Sequence, residues 1–142
     1  TIMGKVQILA VLTMDGCLSS ELYDKAHQDL CLDRCGLDEI RKKAFYRVTP
    51  DYSISMLHEW RKDGTNIRYL AEATPDTADY INGLLRMHAV DEIILYTVPF
   101  ISGSGRHFFK SALPEQHWTL SSLKSYPNGV CRIIYILDKK AR

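Results

Sequence analysis

The chain has 142 residues, 46% hydrophobic and 25% charged, the profile of one globular domain and not of a fibre, a disordered tail or a repeat array. Its 18 Lys and Arg against 17 Asp and Glu leave a formal net charge of +1, too weak a field to gather nucleic-acid backbone or acidic lipid without specific contacts. No stretch approaches the roughly 18 consecutive apolar residues that span a bilayer, so neither membrane nor nucleic acid is expected as a partner.

Lys5 to Thr13 is an almost unbroken apolar run that meets Asp15-Gly16, which predicts a central strand buried on both faces and closed by a turn. The run has no small-residue cleavage site, so it is read as a strand and not as a signal peptide; Met3 is the expected natural start. From Ser20 the spacing becomes helical, with Leu22, Ala26 and Leu30 on one face, Ser19 or Ser20 as N-cap and Gly36 as the end. Leu37 to Lys43 reads as a short helical turn, and Ala44 to Val48 as a short strand broken by Thr49-Pro50-Asp51.

Ser53 or Ser55 can cap a helix through Met56, Leu57 and Trp60 that Asp63-Gly64 stops, and Asn66 to Ala71 reads as the next strand. Thr74 as N-cap, Pro75 at the first helical position and Asp76 in the first turn then open a helix with Ile81, Leu84, Leu85 and Met87. Glu92 to Ile101 is the next predicted strand. Trp118 to Tyr126, the turn Pro127-Asn128-Gly129 and Val130 to Leu137 make a closing hairpin. The order implies a single α/β domain over residues 1–142, with a mixed, mostly parallel sheet.

Few residues announce chemistry. His27, Cys31 and Cys35 would share one face of an unbroken helix, but no fourth ligand or CxxC pair accompanies them, and no metal is expected. Cys17, Cys31, Cys35 and Cys131 are irregularly spaced without a secretory signal, which favours reduced thiols in a cytoplasm. Gly103-Ser104-Gly105 lacks the Lys-Ser or Lys-Thr of a phosphate loop and reads as a turn; Ser104 and His107 lack the setting of a hydrolytic triad. His58, His88 and His117 read as surface or satisfied histidines. Glu72 stands out, at a strand's carboxyl end before a capped helix, where open α/β sheets bind ligands. The donors at Thr74 suit an anion, although Glu72 and Asp76 oppose one and ordinary capping is the competing reading.

Three segments together resemble the dihydrofolate reductase-like superfamily, especially the C-terminal reductase domain of the bacterial riboflavin-biosynthesis deaminase-reductase. They are Val6 to Ser19 with its Asp15-Gly16 turn; Tyr69-Leu70-Ala71-Glu72-Ala73-Thr74-Pro75, similar to that family's Glu-Gly-Gly-Pro strand end; and Val90-Asp91-Glu92 through Pro99 and Gly103-Ser104-Gly105 to Phe109. The resemblance implies a three-layer α/β/α domain and NADPH reducing a small pteridine- or pyrimidine-like heterocycle. It puts Ala10 and Leu18 beside the nicotinamide, Ala73 and Thr74 at the pyrophosphate, and Glu72 and Asp15 in substrate binding. It also implies a homodimer through sheet edges, for which Trp118 to Leu137 is apolar enough. The chain departs from the pattern in having Ala73-Thr74 for two glycines and Leu9 for a lysine, and no Gly-x-x-Thr loop between Leu22 and Asp51. The alternative expectation is a non-catalytic descendant of the fold, acting in ligand sensing or protein interaction.

Overall fold

The computed structural model of the chain describes residues 4–18, 35–62, 67–101, 103, 107–110 and 112–138. The helix expected from Ser20, with His27 and Cys31, lies outside these residues, as do Ser104 and Gly105. In chain order the elements are β1 (Lys5–Leu12), α1 (Leu37–Lys43), β2 (Tyr46–Arg47), α2 (Ile54–Lys62), β3 (Arg68–Glu72), α3 (Ala78–Arg86), β4 (Glu92–Thr97), β5 (Trp118–Ser125) and β6 (Cys131–Leu137).

The strands form one sheet in the order β2-β3-β1-β4-β6-β5. The pairings β2 with β3, β3 with β1 and β1 with β4 are parallel; β4 with β6 and β6 with β5 are antiparallel. β1 is therefore flanked on both edges and covered on both faces, which explains why its sequence is apolar without alternation. Val6, Ile8, Ala10 and Leu12 face Leu57 of α2 and Ala78, Ile81, Leu84 and Leu85 of α3. Leu9 and Val11 face the opposite way, into a core with Leu37, Leu70, Ile94 and Tyr96, against which Ile40 of α1 packs. Each fully buried Val, Leu or Ile contributes about 1.5–3 kcal/mol, so β1 anchors both cores. The result is the expected three-layer arrangement with a mixed sheet.

Differences from the expected boundaries have local causes. Regular α3 begins at Ala78 because Thr74 to Thr77 first closes a turn of its own: the Thr77 amide donates to Thr74 Oγ1 (3.2 Å) and the Thr74 amide to Thr77 Oγ1 (2.8 Å). β4 ends at Thr97, just before Pro99, which has no amide hydrogen for a ladder. Ser53 rather than Ser55 caps α2, its Oγ accepting from the Met56 amide at 3.2 Å. In the hairpin turn, Gly129 has φ +91°, and a Cβ there would meet Pro99 at 3.2 Å, so glycine is required twice over.

Candidate functional site

β3 ends at Glu72, in register with Leu9, while β1 runs on to Leu12, and their carboxyl ends form the sheet edge where the sequence-predicted residues gather. Beyond β1 the chain turns sharply. The Thr13 amide donates to the Cys17 carbonyl, the Gly16 amide donates back to the Thr13 carbonyl, and Gly16 has φ +79°. The Asp15 carboxylate accepts from the Thr13 hydroxyl and, at 3.0 Å, from the Gly103 amide. Asp15 thus ties the β1 turn to the loop after β4. His107 closes the same corner: it bridges to Cys17, with Nδ1 3.9 Å from Sγ, and the Phe108 amide donates to the Gly16 carbonyl at 3.1 Å.

Glu72 is the electrostatic centre of this edge. Its Oε1 accepts from Arg41 Nε (3.0 Å) and Nη2 (2.7 Å), and its Oε2 accepts from Arg47 Nη1 (2.8 Å). One half-buried carboxylate therefore lies between two guanidiniums. α1 delivers Arg41, and β2 delivers Arg47 by pairing beside β3. Sequence reading missed both arginines: neither sits in a motif, and they reach Glu72 across 31 and 25 residues.

The remaining predicted residues are divided by the sheet. Tyr69 and Ala71 of β3 point into the α2/α3 core and Leu70 into the other, so alternation puts Glu72 on the Leu70 side. Ala10 and Leu18 are buried in the α2/α3 core, against which Ala73 also packs. Glu72 and Ala10 thus belong to opposite faces. Nor do Ala73 and Thr74 offer a phosphate cradle. The Ala73 amide donates to the Leu9 carbonyl (2.8 Å), the Thr74 amide to Thr77 Oγ1, and the Thr77 and Ala78 amides to the Thr74 carbonyl at 3.1 and 2.9 Å. These donors are spent inside the protein, and side chains stand where the family's glycines would admit a pyrophosphate. The pyrophosphate of a dinucleotide does not fit at these two residues as they stand. Among the described residues no three His, Cys, Asp or Glu side chains are grouped to hold a metal, and no helix is long and apolar enough to cross a membrane.

No family model matches the chain, and no curated protein matches it. Solved structures do. A Shewanella sp. PV-4 protein provisionally assigned to riboflavin biosynthesis superposes with a TM-score of 0.62 at 11% identity, over 95% of this chain and 99% of that one. RibD of Acinetobacter baumannii gives 0.52 at 16% identity, over 96% of this chain and 58% of the RibD chain. The riboflavin biosynthesis reductase Rib7 of Saccharomyces cerevisiae gives 0.51 at 13% identity, over 98% and 91%. At these identities the likeness is one of fold: the chain has a dihydrofolate reductase-like α/β fold and resembles the RibD reductase domain.

Proposed function

We propose that this protein is a reductase of the riboflavin-biosynthesis type, which binds a small pteridine- or pyrimidine-like heterocycle at the carboxyl edge of the sheet and draws hydride from NADPH. The observation that carries the reading is the fold match over nearly the whole of both chains with the Shewanella protein, supported by a like match to a named reductase. The Glu72 cluster suits such a substrate. A carboxylate accepts about four hydrogen bonds; three are used by Arg41 and Arg47, which leaves one for a ring N–H. The exposed Arg47 guanidinium favours an anionic substituent beside it. Because the amides of Ala73 and Thr74 are spent, the cofactor phosphates would draw on other donors. On this reading one domain fills the chain and works in a cytoplasm, in keeping with Cys17 and Cys131, which are free thiols.

Titration with NADPH and NADH, followed by Trp60 and Trp118 fluorescence and by calorimetry, tests it. Saturable micromolar binding of NADPH is expected. No binding at millimolar cofactor overturns the reductase reading. It would leave a second one, a non-catalytic descendant of the fold in ligand sensing or protein interaction, which the internal bonding of the Ala73 and Thr74 amides specifically favours.

A further inference from the structure

The opposite edge of the sheet carries a second cluster that the reductase reading does not use. A cavity of about 450 Å³ opens between the C-terminal end of α2, the turn after α3, the segment before β5 and the end of β6, and is lined by His58, Arg61, His88, Glu115, His117 and Asp138 among others. Arg61 is its deepest charge, with a side chain 7% exposed. Arg61 Nη1 donates to Asp91 Oδ1 and Nη2 to His58 Nδ1, both at 3.2 Å, while its buried Nε–H has no acceptor among the described residues. Of the five N–H groups of a guanidinium, these two bonds spend only two.

The histidine tautomers follow by elimination. A guanidinium can only donate, so His58 Nδ1 accepts and Nε2 carries the hydrogen that goes to the Met87 carbonyl at 2.8 Å. Both His58 nitrogens are thereby spent. His88 Nδ1 lies 2.8 Å from the amide nitrogen assigned to Gln116, which also only donates, so His88 Nε2 bears a hydrogen with no partner among the described residues. His88 is held at φ +55°, a left-handed conformation uncommon outside glycine, where its ring reaches Gln116. The ring of His117 makes no hydrogen bond among the described residues, while its backbone carbonyl accepts from the Asp138 amide.

We propose that this pocket binds the carboxylate of a small organic acid, with Arg61, His88 and His117 as its donors. Arg61 has Asp91 as its internal counter-ion, and its remaining N–H groups with those of His88 and His117 are the donors that can hold an oxyanion beside it. The carboxylates of Glu115 and Asp138 in the same lining oppose any anion, and a dianion more strongly than a monoanion, so of the two the pocket favours a carboxylate over a phosphate dianion.

The test is NMR titration of the whole chain with acetate and, separately, with inorganic phosphate, at constant ionic strength over a chloride background, reading the ring signals of His88 and His117. Acetate is expected to give saturable shifts at both rings and to bind more tightly than phosphate. His117→Ala and His88→Asn, the latter chosen because asparagine tolerates the left-handed backbone, each weaken acetate by about tenfold through loss of a hydrogen bond to a charged acceptor. Both variants spare the buried Arg61–Asp91 pair, and their backbone spectra report folding. Absence of a saturable acetate shift in the folded wild type, tighter binding of phosphate, or acetate binding unchanged in both variants overturns the proposal. The acetate titration reads the His88 and His117 rings directly, so its failure and a failure of NADPH binding are distinguishable.

Discussion

Asn82 is a fully buried amide in the middle of α3, and its hydrogen bonds explain its presence there. Its Nδ2 donates to the Ala78 and Phe108 carbonyls, each at 2.8 Å, and its Oδ1 accepts from the Lys110 amide at 3.0 Å. The side chain fastens the segment around Phe108, and with it the His107 corner, to the helix. Asn82→Ala would strand the Phe108 carbonyl and the Lys110 amide, and a loss of about 3 kcal/mol is expected in urea unfolding; a loss under about 1 kcal/mol would mean that water replaces the amide freely.

Tyr96 is a second buried polar group with a measurable signature. Burial, only partly opposed by the Arg132 charge, pushes its phenol from 10.0 up to about 12. The folded state therefore holds this proton more tightly than the unfolded chain does, so the associated stability is full below pH 10 and drains away as pH rises towards 12. Tyr96→Phe should flatten that alkaline decline, as read by urea unfolding of both proteins across the window. At neutral pH the substitution should cost only about 1 kcal/mol, because the Cys35 carbonyl that accepts the Tyr96 hydroxyl also accepts from Tyr126. An identical alkaline slope in both proteins would remove Tyr96 as its source. Nothing local marks either residue in the sequence: Tyr96 looks like any strand aromatic and Asn82 breaks an apolar helix pattern without saying why. Glu72, by contrast, was legible from its place between a strand and a helix start.

At the scale of elements, legibility followed the strength of local signals. Pro127-Asn128-Gly129 between two apolar runs predicts the β5–β6 hairpin, and that is where it lies. The two-residue β2 lies inside the short strand expected at Ala44 to Val48 but is shorter than it; the Phe45 and Val48 amides hold it by donating to the Arg68 and Leu70 carbonyls of β3. At the other end of the sheet β5 is an edge strand, and Leu120 and Leu123 on it are 52% and 63% exposed. Apolar side chains beside unpaired edge amides favour pairing with another chain, and we expect a homodimer through this hairpin. Sedimentation should give a dimer at micromolar concentration, and Leu123→Lys should weaken it by at least about tenfold. A monomer in the wild type would overturn this assignment.

At the scale of the whole molecule, element order and three short segments were enough to reach the fold, because each segment falls at a turn or strand end where backbone geometry restricts the residue choice. The site was read less fully. The strands' alternation was visible, but not the register that sets Leu9 against Glu72, and only the two together show Ala10 and Glu72 on opposite faces. The amino-edge pocket was invisible for a related reason: its residues come from four separate elements, and His58, His88 and His117 each look ordinary alone.

The central position of β1 also governs how the chain comes into being. β1 is made before both parallel strands that flank it, and the Val6 amide reaches its Asp91 partner across 85 residues. At roughly 5–20 residues per second on the ribosome, Val6 to Leu12 stays without either neighbour for several seconds. During that interval this apolar stretch is a sticky nascent segment, so a chaperone that shields it during synthesis should raise the yield of folded protein more than one acting after release.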